Sequence, residues 1–160
     1  MDHETPVLRR FLDEQRRHVL GILEGLTEEQ LTRPVLPSGW HCLGMVKHLA
    51  LSDEHYWFRC VMNGESEDYF PAGPNADFQL GPDETAEDVF ALYRDEIARA
   101  DEIIAANSLD QPPRQPPEGG PDVPDLRTIM LWVIRETACH AGHLDAVREL
   151  IDGRQWIVLL

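Results

Sequence analysis

Glu136, His140 and His143 follow one another at steps of four and three. Apolar residues keep the same steps on either side, Ile129 and Val133 before them and Val147 and Leu150 after. Steps of that kind mark one face of a helix turned toward a core. A carboxylate and two imidazoles in the middle of such a face need compensation, because an unpaired buried carboxylate costs several kcal/mol or more. Glu136 and His140 stand one helical turn apart, so both can reach one cation. Zinc accepts mixed nitrogen and oxygen ligands at about 2.0–2.2 Å.

A third ligand is expected from a facing helix, where His41, Met45, His48, Ser52 and His55 repeat a similar alternation. His48 lies between Val46 and Leu49 in the most apolar turn and is the choice. His41 falls near the helix start, and His55 stands among Asp53, Glu54 and Tyr56. Each residue also has a plainer reading. A single histidine on an apolar face is commonly a hydrogen-bonded core residue, and Glu136 has Arg127, Arg135 and Arg148 as ion-pair candidates. Pairing alone does not account for two adjacent buried histidines, so the stripe favours a metal. The role of His143 stays open among ligand, support and base. Cys139, turned ~100° from His140, reads as packing.

Four long helices must position these groups. The first is predicted from about Pro6 to Gly25 with Thr5 as its cap. A short turn follows at Thr27–Gln30, spaced as a capping box. The second long helix is expected over about Leu43–Met62, closed by Asn63-Gly64, and a connector rich in Gly, Pro, Asp and Glu comes next. The third opens on Thr85 and Asp88 and runs to about Ala106. The fourth spans about Leu126–Asp152 and stops at Gly153. Between the last two, residues 107–125 hold six prolines and exclude both helix and central strand. The apolar tail Trp156–Leu160 is expected to dock on the body or on a second subunit. The 160 residues read as one all-α domain.

Composition narrows the partners. A net charge of -15 opposes phosphate backbones and anionic membranes. No apolar run nears the ~20 residues that span a bilayer, and the N-terminus lacks a secretory pattern, so a cytoplasmic protein is expected. The cluster Arg9, Arg10, Arg16 and Arg17 reads as the solvated face of the first helix. Cys42, Cys60 and Cys139 form no paired motif and read as free thiols.

Several stretches resemble the DinB-like helical bundles, in the branch related to mycothiol-dependent maleylpyruvate isomerases and thiol S-transferases. They are Pro37-Ser38-Gly39-Trp40, Leu43–Leu49, Trp57-Phe58-Arg59, Asp125-Leu126-Arg127, and above all Glu136–Asp145 followed by Arg148–Gly153. The resemblance covers nearly the whole chain. It implies an up-down-down-up four-helix bundle, zinc or nickel held by His48, Glu136 and His140, frequent homodimers, and a low-molecular-weight thiol as co-substrate. Relatives often carry His in place of Trp132, Glu in place of Arg135, and Arg in place of Cys139.

Three protein ligands leave a position open to substrate. A thiol entering there loses its proton and becomes nucleophilic. The leading expectation is therefore thiol transfer onto an electrophile, or a thiol-assisted isomerisation. His143 is the candidate proton acceptor, and Arg127 and Arg148 are candidates for a substrate carboxylate. Two alternatives are a metal-dependent hydrolase and a non-enzymatic metal-binding bundle. A di-iron bundle is excluded, since its paired Glu-x-x-His motifs are absent.

Overall fold

A computed structural model describes residues 3–156, all helix, turn or loop, with no strand among them. Helix α1 is Glu4–Leu23, α2 is Glu28–Thr32, α3 is Cys42–His48, α4 is Ala86–Ala106 and α5 is Leu126–Asp152. A π-helical segment, Leu49–Met62, continues α3 without a break, and a 3₁₀ turn at Ala76–Phe78 interrupts the connector.

The helix ends follow the local chemistry. Thr27 with Gln30 and Thr85 with Asp88 form reciprocal capping boxes, each satisfying two orphan amides. Asp125 caps α5 through the amide of Thr128, and Gly153 ends it at φ 79°, a left-handed turn that suits glycine. Helix α1 starts earlier than predicted, at Glu4, with His3 before it rather than Thr5 as cap.

The π segment is the main departure from the sequence reading. Its hydrogen bonds reach five residues back, as from the Asn63 amide to the Phe58 carbonyl at 3.1 Å. In an α-helix a five-residue step lands ~140° away, whereas an i→i+5 winding returns it close to the same face. Asp53 is thereby brought toward the side of His48.

Helix α5 packs on α1 and on the π segment, and the π segment packs on α4. Leu12, Phe58, Met62, Ile129 and Met130 fill one part of the interior, and Leu43, Leu49, Tyr93 and Leu144 the other. Each such side chain stabilises the fold by about 1.5–3 kcal/mol.

Charged groups are also buried. Arg16, expected on a solvated face, is 3% exposed and donates to Glu54 at 2.7 and 2.6 Å. It reaches Asp13 and Asp101 as well, tying α1 to both the π segment and α4. Three consecutive residues of the π segment, Asp53, Glu54 and His55, are buried. Glu54 meets Arg16, and His55 meets Glu96 of α4 at 3.1 Å. A segment surrounded by other helices buries several of its sides.

The proline-rich segment is an ordered cover. Leu109 and Val123 are buried, and the amides of Arg114 and Gln115 donate to the carbonyls of Met62 and Val61, closing the π segment's C-terminal end. Trp156 stacks on His18 at 4.8 Å and lies against Gly21, where a Cβ would overlap the indole. The rest of the expected tail, residues 157–160, lies outside the described residues.

Candidate metal centre

The buried face of α5 runs through Leu126, Ile129, Met130, Val133, Thr137, Ala141, Leu144, Val147 and Arg148. Glu136 and His140 stand at its margin and are half-buried, while His143 and Leu150 are exposed. The polar stripe thus borders the core rather than crossing its centre. That position suits a site that must admit a substrate.

His48 and His140 meet edge to face, with ring centroids 5.1 Å apart, and His143 lies 5.6 Å from His140. One ligand atom each from His48, Asp53 and His140 fall within 4.8 Å of one another. Asp53 was not anticipated as a site residue. An α-helical period puts it on another face, and only the π winding brings it round.

Two polar atoms here are buried with no hydrogen-bond partner among the described residues, Oδ2 of Asp53 and Nδ1 of His140. Orphaned buried polar atoms are rare and costly, and an unfilled ion site is one recognised cause. Burial, then the neighbouring charges of Glu54 and Glu136, pushes the Asp53 carboxyl well above its ordinary range. Burial, then His48 and His143, pushes the His140 imidazole down to about 4, so it stays neutral and able to ligate at neutral pH. The donor set of two imidazoles and a carboxylate fits zinc or a similar borderline cation.

The connector supplies the support. Nδ1 of His48 lies 2.5 Å from Oδ2 of Asp77, leaving Nε2 as the ring's other nitrogen. Ser52 donates to the same carboxylate oxygen at 2.8 Å. Burial raises the Asp77 carboxyl, but these hydrogen bonds outweigh it and hold the group below its ordinary value. A histidine whose second nitrogen is fixed by a carboxylate is the usual support for a metal ligand. Phe78 stacks on the His48 ring at 4.1 Å. Gly44 permits this approach, because a Cβ there would overlap the Phe78 carbonyl.

The other expected site residues are placed as follows. Glu136 pairs with its neighbour Arg135, close enough to raise the Asp53 carboxyl. Arg135 also lies 4.0 Å over the ring of Trp132. Arg127 bonds to Glu4, Asp110 and Asp125 at the start of α5, about 20 Å along the helix from His140. Arg148 is buried and donates to the carbonyls of Ile22 and Glu24, closing the end of α1. Neither arginine is brought to the site. His41 caps α3 by accepting from the Gly44 amide. Cys42 and Cys60 are buried, and burial pushes both thiols up to about 11. Cys139, expected to pack, is exposed.

Two openings lie beside residues that support His48, Phe78 for one and Ser52 for the other. A cleft of about 590 Å³ is lined by Ser38, Trp40, His41, Asn75, Phe78 and Gln79 among others. A smaller pocket of about 390 Å³ lies on the Ser52 side. Among the described residues no helix is long and apolar enough to cross a membrane.

No curated protein matches the chain. A family model described as Mycothiol-S-transferase matches residues 7–153, a span that takes in His48, Asp53, Asp77, Glu136, His140 and His143. The chain belongs to the mycothiol-S-transferase family, whose description points to thiol transfer.

Proposed function

We propose that this protein transfers a low-molecular-weight thiol, mycothiol or a close analogue, onto a small electrophile at a zinc or nickel site. The four long helices are read as an up-down-down-up bundle. In it, His48 and His140 hold the cation together with Asp53, and Glu136 turns from Arg135 to join them. The observation that carries this reading is the pair of orphaned buried atoms on Asp53 and His140, inside a ligand group that spans two helices.

A divalent cation held there lowers the pKa of an entering thiol, so that sulfur reacts as the thiolate. The chain's own residues do the rest. Asp77 fixes the tautomer and tilt of His48. His143, exposed beside His140, accepts the thiol proton on a ring nitrogen. Sulfur forms the new bond to the electrophilic carbon, and the displaced electron pair leaves with the leaving group. The larger cleft, with its polar Ser38, Asn75 and Gln79, receives the thiol.

The test is a product assay with a fluorogenic alkyl halide and a panel of thiols, mycothiol, glutathione and cysteine, before and after chelation. The reading expects one thiol consumed per product, preference for mycothiol, and loss of turnover on chelation. Product formed without any thiol would instead identify a hydrolase.

A further inference from the structure

The smaller pocket has a composition of its own. Tyr56, Trp57, Tyr69 and Phe70 line it together with Ser52 and Glu67. Tyr56 and Trp57 stand nearly perpendicular at 5.2 Å, as do Tyr69 and Phe70 at 5.9 Å, and one face of Tyr69 is covered by the His55 ring stacked on it at 3.4 Å. Among the described residues Glu67 is the only charged one of the lining. Burial, then the charge of Glu67, raises the Tyr56 phenol.

Among the described residues no lysine or arginine lines the pocket. The nearest arginines along the chain and on α5 are committed, Arg59 to Glu65 and Glu96, Arg135 to Glu136 and Trp132. An anionic group would therefore find no counter-charge here and would meet the field of a chain with net charge -15. A primary ammonium is strongly hydrated and trades that hydration only for several well-placed acceptors, whereas four of the six residues of this lining are aromatic. A methylated ammonium needs no such acceptors, and aromatic faces with a nearby carboxylate are what it binds.

We propose that this pocket binds an organic cation with a quaternary ammonium head, the end of the acceptor substrate that lies away from the reacting carbon. Ser52 lines the pocket and donates to Asp77, which in turn holds His48, so two hydrogen bonds link the pocket to a proposed ligand. The assignment of the occupant as acceptor rests on the thiol-transfer reading; the binding itself does not.

The test is a calorimetric titration of the full chain with choline and with its uncharged isostere, in which a tert-butyl group replaces the trimethylammonium. Choline is expected to bind saturably and at least about fivefold more tightly than the isostere. Glu67→Gln and Tyr69→Leu, each checked for intact helix content, are expected to weaken choline several-fold and to leave the weak isostere binding unchanged in Glu67→Gln. Equal or tighter binding of the isostere, or no saturable choline binding by folded wild type, would overturn the proposal. Because the titration involves no turnover, its failure leaves thiol transfer untouched, and failure of the thiol assay leaves the titration readable.

Discussion

His48 and Asp77 are joined by a 2.5 Å contact between Nδ1 and Oδ2 across 29 positions of sequence, and through it the connector holds a proposed ligand in place. Removing such a carboxylate typically lowers metal affinity about 10–100-fold. Asp77→Ala is expected to fall in that range, with helix content retained, in a competition titration against a chelator. Unchanged affinity would mean that the contact serves the connector alone.

Gly44→Ala separates local propensity from tertiary fit. Alanine in a helix interior gains up to ~1 kcal/mol over glycine. Here the new Cβ would run into the Phe78 carbonyl, and crowding of this kind costs about 1–3 kcal/mol. Thermal unfolding should show a net loss, and metal affinity should fall with it as Phe78 and Asp77 are displaced. A rise in stability would show that the connector does not seat on α3.

The Arg16–Glu54 pair should behave as a buried ion pair. Glu54→Ala leaves the guanidinium without its bidentate partner and is expected to cost about 3–5 kcal/mol in denaturant unfolding. The double replacement Arg16→Met with Glu54→Leu should recover most of that loss. A small effect of Glu54→Ala would mean that Asp13 and Asp101 suffice.

Stability of the metal-free protein should depend on pH through His140. Its ordinary pKa is 6.5 and burial lowers it to about 4 in the folded state. Between those values the unfolded chain binds the extra proton, so the His140 contribution to stability is lost as pH drops from about 6.5 toward 4, while the raised Asp53 carboxyl contributes in the opposite direction. Asp77 and Glu96, both held below their ordinary values, add to the loss at still lower pH. His140→Gln should flatten the upper part of this profile in denaturant titrations at a series of pH values. An unchanged slope would move its origin elsewhere.

Much of this was legible from residue types and spacing. The capping residues marked the starts of α2 and α4, Gly153 marked the end of α5, and the spacing of α5 singled out His140. Three things were not legible. The α-helical period hid Asp53, because nothing in Leu49–Met62 announces a π winding. Buried charge hid Arg16, since a guanidinium looks solvent-facing until Glu54 arrives from another helix. Asp77 looked like one acid among many in an irregular connector, and only the seat of Phe78 over Gly44 gives it a role. Arg127 and Arg148 looked available for a substrate carboxylate, and in the fold both tie helix ends together.

Metal content of the untagged full chain, by mass spectrometry, bears most directly on the central claim. Wild type should be measured beside His48→Ala, Asp53→Ala, Glu136→Ala and His140→Ala. The account expects about one equivalent of zinc or nickel in wild type and its loss in the two histidine variants, with the carboxylate variants weakened. No metal in wild type even after zinc or nickel is added back, or full retention in the histidine variants, would contradict it.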